Sequence, residues 1–79
     1  MALREQLEKK LAGLRSRREE AEAEAGHAAE QLVRLASGVT PLEEVDVEAV
    51  RAAADTFADA VHRLKMLDRL SEQLRKTLM

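Results

Sequence analysis

Apolar residues recur three and four positions apart along most of the chain, with polar and charged residues between them, and this period predicts two amphipathic helices. In the first half a heptad places Arg4, Leu11, Arg18, Ala25 and Leu32 at one set of inward positions and Leu7, Leu14, Ala21, Ala28 and Leu35 at the other. Eight of these ten are apolar, so the stripe is well defined. Leucines hold its ends and alanines its middle. A second helix is therefore expected to approach most closely between Ala21 and Ala29. Gly26 lies in the same stretch, either as a surface glycine that weakens the helix by about 1 kcal/mol relative to Ala or as the mark of a close crossing.

The pattern stops between Leu35 and Leu42, where the chain reads Leu-Ala-Ser-Gly-Val-Thr-Pro-Leu. Gly38 can close a helix in the left-handed conformation. Thr40-Pro41-Leu42-Glu43 offers a capping hydroxyl, a proline suited to a first helical turn and a carboxylate three residues on. Asp46 is a second candidate cap, with Thr40 to Val45 as a short turn before it. Length favours Asp46: a helix over 2–36 runs about 52 Å at 1.5 Å per residue, and a helix over 47–79 matches it better than one starting at Pro41. The expected domain is one antiparallel hairpin spanning 1–79, with helices at about 2–36 and 47–79 and a turn at 37–46. On this register Ala25 faces the neighbourhood of Ala58.

The second helix carries Val50, Ala53, Phe57, Ala60, Leu64, Leu67, Leu74 and Leu78 on its stripe, with Ala54, Val61 and Leu70 on the flanks. That face is wider than one neighbour requires and suits a helix touching two, as in a four-helix bundle. A hairpin of 79 residues has a single seam in which to hide apolar side chains, and the chain has no cysteine for a disulfide. The missing core is expected from a partner. The expected fold is all-α, a two-helix hairpin associating with itself as a homodimer or tetramer. The expected interface residues are Leu7, Leu11, Leu14, Arg18, Ala21, Ala25, Ala28 and Leu32 with Phe57, Val61, Leu64, Leu67 and Leu74.

Arg18 interrupts the first stripe between Leu11 and Ala25. It could reach Glu22 one turn on or an acidic group of a partner, and a half-buried charge at such a position sacrifices stability to specify register or oligomer state.

The net charge of −2 is small, but its distribution is polar. Residues 1–18 hold six basic and two acidic groups and residues 60–79 hold five and two, about +7 in all, whereas residues 19–59 hold eleven acidic and two basic groups, about −9. Glu43, Glu44, Asp46 and Glu48 near the start of the second helix, and Arg75 and Lys76 near its end, suit the helix dipole. The basic start and acidic middle of the first helix oppose it. Two hairpins packed antiparallel would lay the basic end of each along the acidic end of the other.

Candidate chemistry is sparse. Arg15-Ser16-Arg17-Arg18 with Lys9 and Lys10 forms the densest basic patch, and hairpins that dimerise into bundles can bind RNA through such patches. Glu19, Glu20, Glu22 and Glu24 follow at once, with Arg15 and Glu19, and Arg18 and Glu22, at the spacing that lets them neutralise each other. With Phe57 the one aromatic residue, stacking platforms are lacking, and nucleic acid is not the expected partner. Glu24 precedes His27 by three residues and Asp59 precedes His62 by three, as in di-iron bundles, but the heptad points both histidines outward and no bridging glutamates can be identified. No metal or cofactor is expected. Ser16, Ser37, Thr40, Thr56, Ser71 and Thr77 have no histidine or cysteine placed to activate them, and no glycine-rich phosphate loop occurs, so no catalytic residue is expected. Met66 and Met79 read as gap fillers.

A composition of 46% hydrophobic and 35% charged residues suits folded amphipathic helices. Nowhere are about 18 consecutive residues apolar, and the first ten residues lack a secretory apolar segment, so the expectation is a cytoplasmic protein without a membrane partner. The sequence thus reads as a non-enzymatic structural or adaptor module that binds protein. The alternatives are a hairpin that pairs with another helical protein, as small secretion chaperones do at the level of fold, and a small nucleic-acid-binding regulator using the basic end.

Overall fold

The computed structural model describes residues 2–37 and 41–78. Helix α1 covers Ala2–Ser37, a 3₁₀ turn covers Leu42–Glu44, and helix α2 covers Val47–Leu78. The two long helices pack on each other along their length, and no strand occurs among the described residues. The Cα trace measures 63 × 15 × 14 Å, a rod two helices wide and one layer deep. Its radius of gyration is 17.9 Å, against about 12 Å for a compact chain of this length.

Local capping decides where α2 begins. The Asp46 carboxylate accepts a hydrogen bond from the Ala49 amide at 3.1 Å, and its carbonyl accepts one from the Val50 amide at 3.0 Å. Asp46 is therefore the cap, and Glu48 adds negative charge to the first turn. Pro41 does not open α2. It stands extended ahead of the 3₁₀ turn, where the amides of Glu44 and Val45 donate to the carbonyls of Pro41 and Leu42, each at 3.1 Å. Extended backbone at Val45 then separates this turn from α2. Arg75 and Lys76 complete the dipole pattern in the last turn of α2. The readings of Gly38 as a helix stop, Thr40 as a cap and Met79 as a gap filler lie outside the described residues.

The heptad of α1 forms the observed seam. Leu7, Leu11, Leu14, Arg18, Ala21, Ala25, Ala28, Leu32 and Leu35 are all shielded by α2, whereas Arg4 near the start of α1 is exposed. On α2 the shielded positions are Val50, Ala53, Ala60, Leu64, Leu67, Ser71, Leu74 and Leu78, with Ala54 and Val61 beside them. Phe57 holds a stripe position yet remains 37% exposed, and Leu70 on the flank is 44% exposed.

Among the described residues the buried apolar ones are Ala21, Ala25, Ala28, Ala53 and Ala60, and no large side chain is fully buried. This follows from geometry: the alanines let the helices approach in the middle of the rod, but a leucine between two helices keeps one side open to water unless a third element covers it. Gly26 makes no close crossing, because a Cβ built there meets nothing within 4 Å.

The register differs from the expected pairing of Ala25 with Ala58. Arg18 meets Asp68 and Glu24 meets Arg63, which places Ala25 level with the Val61 region, about one helical turn further along α2.

Candidate functional site

Two broad faces flank the seam, one on each side of the rod. Residues two apart on a helix point in opposite directions, so Arg15 and Arg17, or Asp68 and Leu70, belong to opposite faces. One face is charged: Leu11, Arg15 and Arg18 of α1 line a groove with Asp68, Ser71, Glu72 and Arg75 of α2. The other is more apolar, with Lys10, Gly13, Leu14 and Arg17 opposite Leu70, Gln73, Leu74 and Thr77. Through Arg17 this second groove continues into a stretch lined by Glu20, Ala21, His62, Arg63, Met66 and Leu67.

Arg18 organises the charged face. Its Nε donates to Asp68 Oδ1 at 2.6 Å across the seam, and its Nη1 donates to Glu22 Oε2 at 2.8 Å along α1. The hydrogen bond to Asp68, and next the charge of Asp68, raise the guanidinium pKa above its ordinary value, and Glu22 acts in the same direction. The acidic partner of Arg18 is thus found within its own hairpin. On the other side of the seam Arg63 donates to Glu24, which raises the Arg63 pKa through the hydrogen bond and then through charge, with Asp59 adding to it. The two bridges have opposite polarity, since α1 supplies the cation in one and the anion in the other.

These bridges add to the register that the leucine ends and alanine middle of α1 favour. Sliding one helix by a heptad keeps the two stripes facing each other. In one direction, however, the slide brings Arg18 toward Arg75, and in the other it brings Arg17 toward Arg63. Either juxtaposition of like charge is unfavourable.

Of the basic cluster, Arg18 is engaged by Asp68 and Glu22, whereas Arg15 forms no ion pair with Glu19 at the spacing the sequence offered. Among the described residues neither Arg15 nor Arg17 makes an ion pair; Arg4 pairs with Glu8 at 3.3 Å near the start of α1. His27 and His62 are both exposed, and Glu24 is turned toward Arg63. No group of three or more His, Cys, Asp or Glu among the described residues is placed to hold a metal ion. The hydroxyls of Ser37, Thr56 and Thr77 donate to the carbonyls of Val33, Ala52 and Gln73 one turn earlier in their own helices.

Two side chains differ from the sequence reading. Met66 fills no gap in the hairpin and is 46% exposed on the more apolar face. Ser71, grouped by sequence only with hydroxyls lacking an activating neighbour, is buried on the seam. Its spacing from Leu67 and Leu74 carries the signal: it continues the heptad of α2, and only its polarity hides it.

No helix among the described residues is long and apolar enough to cross a membrane. Comparison with models of known protein families, with curated proteins and with solved structures gives no match for this chain.

Proposed function

We propose that the protein is a non-enzymatic structural or adaptor module that works as an assembly of helical hairpins, with a second copy of the chain as its first partner and a four-helix bundle as the assembled form. The observation that carries this reading is that, among the described residues, alanines are the only apolar ones buried by the hairpin, while its leucines remain partly open to water. The chain exposes 6344 Å², whereas a compact protein of 8.8 kDa exposes about 4,800 Å². The excess, roughly 1,500 Å², exceeds the share of about 800 Å² that each partner buries in a standard interface. A cytoplasmic setting fits a chain without cysteine, where no disulfide could substitute for the missing core.

Sedimentation equilibrium at micromolar concentration, combined with thermal unfolding at several protein concentrations, tests the proposal. A dimer or tetramer whose melting temperature rises with concentration is expected. A stable monomer with a concentration-independent melt overturns it. A chain that is monomeric and only partly helical alone, but folds on adding another helical protein, supports the heteromeric alternative instead.

A further inference from the structure

We propose that the second copy docks antiparallel across the face bearing Gly13, Met66 and Leu70, with Met66 beside the two-fold axis. The inference rests on the self-association proposed above and specifies the surface and orientation. Met66 and Leu70 are 46% and 44% exposed there, and Leu14 and Leu74 form the half-buried floor of the same groove. A Cβ built at Gly13 meets nothing within 4 Å, so this part of α1 is open to an approaching helix. The charged face lies behind the same stretch of rod. Docking there would require Arg15, Arg18, Asp68, Glu72 and Arg75 to lose water, a desolvation that an interface of mixed charges recovers poorly.

Charge chooses the orientation. The end of the rod that carries both chain termini is basic, and the end that carries the turn is acidic. A parallel second copy would set like charge against like along the whole contact. An antiparallel copy instead brings Lys10 and Lys76 toward Asp55 and Asp59 of the other chain. Met66 shares a groove with Glu20 and Ala21, near the middle of the rod, so an axis that overlaps the two rods fully passes close to it. The two Met66 side chains then meet, and each Leu70 packs toward the His62 region of the other copy. Methionine suits such a position, since its flexible thioether adapts to its own symmetry mate.

The chain has no cysteine, so a single introduced one reports on one place. Met66→Cys is expected to form an interchain disulfide under mild oxidation, whereas Glu19→Cys, one turn after Arg15 on the charged face and at the same level of the rod, is expected to stay reduced. Leu70→Lys is expected to weaken the dimer at least tenfold by sedimentation while the circular dichroism of the hairpin is kept. A protein that is dimeric yet forms no Met66→Cys cross-link, or that cross-links through Glu19→Cys, overturns this surface and leaves self-association standing. A monomer in every variant and in the parent chain overturns both.

Discussion

Arg18 and Asp68 stand 50 residues apart in the chain, and their side chains meet at 2.6 Å across the hairpin. The guanidinium that does this occupies a position where α1 otherwise presents leucine or alanine to α2. Its side chain is 41% exposed, shielded in part by α2 while its guanidinium reaches the carboxylate. One residue thus holds an apolar position and a polar bridge at once.

Arg18→Leu is expected to raise the melting temperature and loosen the choice of assembly. Leucine would restore the apolar stripe between Leu11 and Ala25, and Asp68, already 55% exposed, would remain hydrated without its partner. Losing the bridge would also make registers slipped by a heptad more accessible, giving mixed dimers and higher oligomers in light scattering. A less stable variant with one unchanged oligomeric state would contradict this role for Arg18.

The bridge on the other side offers a reversal test. Glu24→Arg or Arg63→Glu alone puts like charges together across the seam and should lower the melting temperature, whereas the double reversal should recover most of the loss. Recovery should fade in high salt, because both side chains are about half exposed. Equal and additive losses in the three variants would show that the pair does not couple the helices.

Gly26→Ala should stabilise the protein by up to about 1 kcal/mol, because alanine is the better helix former and the added methyl group meets open space. In a domain of this size that corresponds to a rise of about 4–8 °C in the thermal midpoint. A fall in the midpoint would place a neighbouring chain against Gly26.

Asp46→Ala removes the side-chain acceptor for the Ala49 amide and should destabilise the fold by about 1 kcal/mol. Hydrogen exchange should show the loss concentrated in the first turn of α2, at Ala49 and Val50. Thr40→Ala tests the other cap that the sequence offers and is expected to cost less. A larger loss on changing Thr40 than on changing Asp46 would reverse this assignment.

Much of the seam was legible before folding. Leu7, Leu11, Leu14, Ala21, Ala25, Ala28 and Leu32 follow from spacing alone, because a helix turns a fixed amount per residue and every third or fourth side chain must share a side. Asp46 was legible as one of two caps, since its hydrogen bond reaches only three residues along the chain. Ser71 escaped because composition outweighed spacing: its hydroxyl suggested surface, while the positions of Leu67 and Leu74 already required it on the seam. Met66 misled in the opposite direction. An apolar residue near the stripe reads as filler, but it lies off the seam, beside Ala21 and Glu20, and stays 46% exposed.

The sequence by itself determined two long helices, the place of the break and the stripe by which each helix meets the other. Those properties depend on interactions reaching at most a few residues: backbone periodicity, capping and the dipole at helix ends. Only the tertiary structure decided how far one helix is displaced along the other, and with it that Arg18 meets Asp68 and Glu24 meets Arg63. A seven-residue slide keeps the two stripes facing each other, so the heptad period alone does not set the displacement. The ion pairs join charged groups distant in sequence, and their pairing comes into existence only when the hairpin closes.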